Sequence, residues 1–444
     1  MLGRGFIVPL ACVSILLGAT ASIVVAQWPS LTIESGASDV FFGRPAAAFD
    51  QDNHLLVAYY HFVDRDLGVA DLTPCGPVSI RPRISTGNIG RGACILVDTA
   101  NSRQAVFWGT GDGLVAGVRY AVFASGLHGD ATAGIPTMPS LPPPAGVKAR
   151  LDSQDRPYVL ARYASSLILA RFNIASGQWG AMSLGTLDLA TTGTTRSGAD
   201  LAVNPEGEPV IACVSSDNRI LVGTFTSGGV AWRSHAVSDL ATDCDIALAC
   251  DPVGAPLVMC KRSDGLHLLR FHDLGVTDQL VEPTLAAGFG THSLAVDEVG
   301  RVFLAWRDLT TGAVMLTESS FGWHTSLVDA GVTMGNGSYP AIALNRQGLW
   351  AVAYVNAENG TLKVAGPGAR LRAPGDFDCD GHVDQVDAAH LRGCLTGPNL
   401  GPPDANCTDA NLDADNDVDL DDYGLLQRCL SGPIDWADPD CLLP

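Results

Sequence analysis

A mainly β fold is what this sequence predicts: a seven-bladed β-propeller closed by its N-terminal strand, with a small all-α domain behind it. Three observations predict it. One pattern centred on Asp or Asn recurs seven times between residues 50 and 345. The 444 residues include 49 Gly and 26 Pro, which interrupt the 47% of apolar residues too often for long helices. Beyond residue 375 the composition shifts, and a twelve-residue Asp-rich pattern appears twice. The expected division is a leader at 1–26, the propeller at 27–368, a linker at 369–374 and the C-terminal domain at 375–444.

The chain opens with Arg4, an apolar run from Phe6 to Leu17 and a small-residue stretch ending at Ala26. This is the form of a secretory signal, with cleavage expected between Ala26 and Gln27. A membrane anchor needs about twenty unbroken apolar residues, and Gly18, Thr20 and Ser22 break this run. An extracellular or cell-surface protein with no membrane span after leader removal is the expectation.

Export suits the cysteines, because disulfides persist outside the cytoplasm. Without Cys12, eleven of the twelve remain: Cys75, Cys94, Cys213, Cys244, Cys250 and Cys260 before the tail, and Cys379, Cys394, Cys407, Cys429 and Cys441 within it. A formal charge of −20 excludes nucleic acid and anionic membrane as partners, since phosphate backbones require basic surface.

The repeat markers are Asp50, Asp98, Asp152, Asn204, Asp251, Asp297 and Asn345, spaced by 48, 54, 52, 47, 46 and 48 residues. An apolar residue precedes each one: Phe49, Val97, Leu151, Val203, Cys250, Val296 and Leu344. Nine residues after six of the markers stand Tyr59, Ala161, Cys213, Cys260, Trp306 and Tyr354; the second repeat needs one more residue to reach Trp108. Asp and Asn bond their own backbone two residues on and tolerate unusual dihedrals, so the markers read as hairpin turns rather than catalytic acids. A third strand follows in most repeats, and a fourth opens near Trp179, Trp232 or Trp323. Four strands every 46 to 54 residues is the form of a propeller blade. Ala48, Ala202, Ala249, Ala295 and Ala343, two residues before their markers, suit an innermost strand where large side chains do not fit. The last repeat supplies only three strands, and Trp28–Ser35 is the displaced fourth, which would close the ring and remove exposed edges.

In the tail, Asp376, Asp378, Asp380, Asp384 and Asp387 occupy positions 1, 3, 5, 9 and 12 of a twelve-residue loop, with Gly381 at 6 and His382 at 7. A divalent calcium ion needs six to eight oxygen ligands. A tightly curled loop turns alternate side chains inward while position 7 offers its backbone carbonyl. The pattern returns 35 residues later as Asn411, Asp413, Asp415, Asp417, Asp419 and Asp422, with Asn416 in place of the glycine, expected in the left-handed conformation. Each loop leads into a short helix ending in Cys-Leu-Thr-Gly-Pro or Cys-Leu-Ser-Gly-Pro. Cys394 and Cys429 stand at the same helix position; disulfides to Cys407 or Cys441 and simple burial are both open.

These residues resemble the dockerin family, in the form common on exported planctomycete proteins, over about 60 of the 444 residues. The resemblance implies two bound Ca²⁺ ions, an EF-hand-like helical module and docking onto a cohesin-like protein. Positions 10 and 11, commonly Ser-Thr in cellulosomal members, are here Gln385-Val386 and Leu420-Asp421.

For the propeller, the expected site is the channel mouth formed by the loops leading into the innermost strands, which carry Arg44, Arg91, Lys148, Arg196, His292 and Tyr339, with Arg150 on the third inner strand. Such a basic ring suits an anionic extracellular glycan through bidentate Arg contacts. The alternative is a polysaccharide hydrolase or lyase using loop carboxylates such as Asp200, Asp243 or Asp245. No His-Glu-x-x-His motif or nucleophile elbow is present.

Overall fold

The computed structural model describes residues 30–35, 45–50, 53–61, 64, 66–73, 78–80, 93–97, 104–109, 118–123, 146–163, 166–173, 178–189, 198–226, 229–237, 240, 246–283, 287–308, 311–320, 322–330, 340–356, 360–369, 373–380, 382–398, 400–413, 415–433, 437 and 441–442. The leader expected at 1–26 lies outside them. Among the described residues no helix is long and apolar enough to cross a membrane.

Each repeat folds into its own antiparallel sheet, and the reason is visible at the marker. The Asp50 carboxylate accepts from the His54 N–H at 2.8 Å, Asp152 from Gln154 and Arg156, Asp251 from Val253 and Ala255, and Asp297 from Val299 and Arg301. Asn204 and Asn345 do the same with side-chain amide oxygens. Three residues after each of these six markers the backbone is left-handed, and the residue is Asn53, Asp155, Gly207, Gly254, Gly300 or Gly348 (φ 61°, 55°, 82°, 86°, 86° and 77°). Only Gly, Asn and Asp enter that region at low cost. At Gly348 a Cβ would also meet the end of the Arg301 side chain of the preceding repeat, which can move aside, so the positive φ is what favours glycine there.

Among the described residues the repeats give six sheets of four strands and one of three. The innermost strands, Ala46–Phe49, Cys94–Val97, Gly146–Leu151, Ala199–Val203, Ala247–Cys250, Ala287–Val296 and Ala341–Leu344, lie side by side in that order, and the last lies against the first. Each pair of neighbouring sheets shares a buried apolar cluster. The residues nine after the marker sit at the bottom of these clusters: Tyr59, Ala161, Cys213, Cys260, Trp306 and Tyr354 are all at most 2% exposed.

The expected seven-bladed propeller is corrected to one of six complete blades. Six complete four-stranded blades are present, whereas the second repeat contributes three described strands, Cys94–Val97, Gln104–Gly109 and Val118–Phe123. Residues 124–145, which follow the third of these strands, lie outside the described residues. The expected all-α C-terminal domain is corrected too. That region holds two short helices, α1 (Gln385–Cys394) and α2 (Leu420–Cys429), and most of its remaining described residues are loop and turn.

Strand Ser30–Ser35 completes the last sheet by pairing with Thr361–Ala365, from Ser30 opposite Ala365 to Ser35 opposite Thr361. Its Glu34 accepts from the Tyr59 hydroxyl of the first sheet. The same contact joins the last two sheets, where the Tyr354 hydroxyl donates to Asp329 at 2.6 Å and Lys363 reaches Asp329 at 3.0 Å. Both tyrosine–carboxylate pairs are 25 residues apart, so Glu34 does for the ring seam what Asp329 does one interface earlier. Burial, and then the Asp329 hydrogen bond, push the Tyr354 hydroxyl far above its ordinary pKa. Tyr354→Phe removes a hydrogen bond to a buried carboxylate. It is expected to lower propeller stability by about 1.5–3 kcal/mol, read as a shifted urea midpoint; an unchanged midpoint would show that Lys363 alone suffices.

Candidate functional site

The two acidic loops adopt one hydrogen-bonding plan. In the first, Asp384 caps α1, accepting from the Val386 N–H at 2.8 Å. Asp387 is 1% exposed; its Oδ2 accepts from the Asp384 N–H at 2.8 Å and its Oδ1 from Phe377 at 2.5 Å and Asp378 at 3.4 Å. In the second, Asp419 caps α2, and Asp422, also 1% exposed, accepts from Asp419, Leu412 and Asp413 at 2.8, 2.6 and 3.3 Å. The position-12 carboxylate thus ties the start of each loop to its helix.

The alternate carboxylates curl the chain between these ends. Asp378 accepts from the Asp380 N–H and Asp380 from His382; Asp413 accepts from Asp415 and Asp415 from Asp417. Carboxylate oxygens of Asp376, Asp378 and Asp380 lie within 4.8 Å of one another. Asn411 donates through Nδ2 to the Asp415 carbonyl at 3.0 Å, while its Oδ1 is buried and finds no donor among the described residues.

Crowding shows in the electrostatics. Burial, and then repulsion from Asp380, Asp387 and Asp384, hold the Asp378 carboxyl above its ordinary pKa. For Asp413 the largest single influence, the Asp415 N–H, lowers the pKa, but burial and repulsion from Asp422, Asp415 and Asp419 outweigh it and the net shift is upward. Asp376, Asp378 and Asp380 thus converge closely enough to hold a metal ion, and carboxylate oxygens are the donors a hard cation such as calcium takes. One backbone detail differs from expectation: the left-handed residue described in the first loop is Cys379 (φ 67°), and Asn416 is not among the left-handed residues.

Disulfides close both halves alike, Cys394 to Cys407 and Cys429 to Cys441, each joining the end of a helix to the segment after it. Cys94, Cys213 and Cys250 of the propeller are free thiols; burial pushes Cys213 and Cys250 up to about 12, so they act as small apolar residues rather than nucleophiles.

In the propeller, Lys148, Arg150 and His292 are described, whereas Arg44, Arg91, Arg196 and Tyr339 lie outside the described residues. The residue four before the marker proves informative. Here Cys94, Lys148, Asp200 and Ser293 each reach toward the next sheet. The Cys94 thiol donates to the Val147 carbonyl at 3.0 Å, Lys148 Nζ lies 3.4 Å from Asp200, Asp200 Oδ2 accepts from the Leu248 N–H at 2.9 Å, and Ser293 Oγ accepts from Ile342 at 3.2 Å. Asp200, 3% exposed, also accepts from Leu201. Burial raises its pKa, but Lys148, then Arg150, then the two backbone donors reverse that and hold it below the usual value. His292 is buried in the sixth repeat, opposite Trp306 and an odd number of residues from its strand's Ser293, so it shares neither face nor cluster with Lys148 and Arg150. Asp243 and Asp245 lie outside the described residues. Sequence reasoning missed this interblade row because the four side chains share a register but no chemical type.

No model of a known protein family matches the sequence, and no curated protein matches it either. Solved structures do. An ulvan lyase, described as a new family of polysaccharide lyase, is similar at a TM-score of 0.52 with 10% identity, over 76% of this chain and 96% of that one. The lectin of Aleuria aurantia, described as a six-bladed β-propeller with a novel fucose recognition mode, gives 0.44 with 12% identity over 68% and 100%. AofleA from Arthrobotrys oligospora gives 0.47 with 10% identity over 68% and 90%. At such identities a likeness speaks for the fold alone. Fold and site together define a class: a β-propeller carrying a duplicated, disulfide-closed acidic-loop module.

Proposed function

We propose that this is an exported calcium-binding protein in which a dockerin-like module at 375–444 binds two Ca²⁺ ions and tethers the propeller to a cohesin-like or cell-surface protein. The propeller binds an extracellular glycan or protein without catalysis. The observation that carries the reading is the repetition of one loop-cap-helix plan, with the position-12 carboxylate accepting from the same three backbone positions, from Asp376 to Asp387 and from Asn411 to Asp422. Acidity alone gives no reason for two loops to share it. Asp376, Asp378, Asp380, Asp384 and Asp387 would hold one ion, and Asn411, Asp413, Asp415, Asp419 and Asp422 the other, with the carbonyls of His382 and Asp417 completing each shell. Apolar side chains left in solvent on the helices, Leu420 at 77%, Val386 at 57% and Tyr423 at 38%, support a docking role.

The non-catalytic reading is favoured because Asp200, the one described member of the candidate acids, is occupied in joining three sheets. Titration of the chelated full chain with CaCl₂ is expected to release heat with two equivalents bound and to raise helical circular dichroism. Neither heat nor ordering would remove the calcium reading. On a glycan array, binding with no release of reducing ends is expected; release of sugar would overturn the propeller assignment.

A further inference from the structure

Thr396 and Ser431 stand in the Leu-Thr-Gly-Pro and Leu-Ser-Gly-Pro segments that follow α1 and α2, and no ligand position falls on them. Their bonds cross between the halves. The Val418 N–H donates to Thr396 Oγ1 at 3.0 Å, and the Val418 carbonyl accepts from the N–H groups of Thr396 and Gly397 at 2.9 and 3.2 Å. In mirror fashion the Val383 N–H donates to Ser431 Oγ at 3.0 Å, and its carbonyl accepts from Ser431 and Gly432 at 3.0 and 3.1 Å.

Val383 and Val418 are the eighth residues of their loops and are fully buried. Each lies between the position-7 carbonyl and the position-9 carboxylate, so fixing both its backbone groups fixes the path between two ligand positions. The residue doing the fixing hangs from the opposite loop's helix, two residues beyond a cysteine held by Cys394–Cys407 or Cys429–Cys441.

We infer that Thr396 and Ser431 are positioning residues for the calcium loop of the opposite half, Thr396 setting Asn411–Asp422 and Ser431 setting Asp376–Asp387. This rests on the calcium reading above. Ordering the first loop starts α1, α1 carries Thr396, and Thr396 holds the second loop; the second loop returns the effect through α2 and Ser431. Coupling between two sites is reciprocal, so filling either loop raises the affinity of the other.

The test uses the full chain with one loop disabled, by Asp378→Asn with Asp380→Asn or by Asp413→Asn with Asp415→Asn, and calcium titration calorimetry with far-ultraviolet circular dichroism. With the first loop disabled, Thr396→Ala is expected to weaken the remaining site about tenfold, the scale of a lost outer-shell partner, and Thr396→Ser to restore it. With the second loop disabled, Ser431→Ala weakens the remaining site and Ser431→Thr restores it. An uncrossed pattern, in which both alanine variants weaken one site equally, or failure of the hydroxyl-retaining variants to restore affinity, overturns the inference while leaving two-ion binding by the parent intact. A parent chain that binds no calcium ends both readings at once.

Discussion

Asp387→Ala is expected to melt the first half of the C-terminal region, at a cost of about 3 kcal/mol or more. Three backbone N–H groups, those of Phe377, Asp378 and Asp384, lose their acceptor together, and each unsatisfied donor costs about 1–3 kcal/mol to the extent that it is buried. Asp422→Ala should do the same to the second half through Leu412, Asp413 and Asp419. The check is limited proteolysis at matched calcium, with cleavage of the variant confined to residues beyond 375. Unchanged protection would mean that the position-12 carboxylate does not organise the loop.

Asp200→Ala is expected to cost the propeller about 3–5 kcal/mol, the range for removing one partner of a buried ion pair. It leaves the half-buried Lys148 ammonium without the carboxylate 3.4 Å away and the Leu248 N–H without its acceptor. Lys148→Met should cost less, because the carboxylate keeps two backbone donors. The sign with pH follows from the lowered folded-state pKa. The stabilisation is fully present above the ordinary carboxylate value of about 3.9 and is lost as acid takes the pH below it, through the folded-state value. Urea midpoints at neutral pH and below pH 4 should therefore converge for parent and variant; a constant gap would place the stabilisation elsewhere.

What was legible in the sequence is what backbone geometry and local hydrogen bonding force. An Asp or Asn marker followed three residues later by Asn, Asp or Gly is required by a turn that bonds its own backbone and passes through positive φ, so six described turns repeat it. The acidic loops were legible because the carboxylate at position 12 ties the start of each loop to its helix, which fixes their spacing. The interblade row was not, since Cys94, Lys148, Asp200 and Ser293 do one job with a thiol, an ammonium, a carboxylate and a hydroxyl, while Ala46, Ala247 and Ala341 occupy the same register. A signal for the seam was present unread: Glu34 precedes Tyr59 by the interval at which Asp329 precedes Tyr354. The disulfide partners of Cys394 and Cys429 stayed open because one cysteine follows each helix, 13 residues on in the first half and 12 in the second, and spacing alone does not assign the pairs.

The seam also sets an order of events. Strand Ser30–Ser35 is made first, yet its hydrogen-bonding partner, Thr361–Ala365, leaves the ribosome more than three hundred residues later. Through all of that interval an edge capable of templating foreign strands waits unmatched, and contacts so distant along the chain form slowly. Closure of the ring by this pair therefore cannot precede synthesis of Thr361–Ala365.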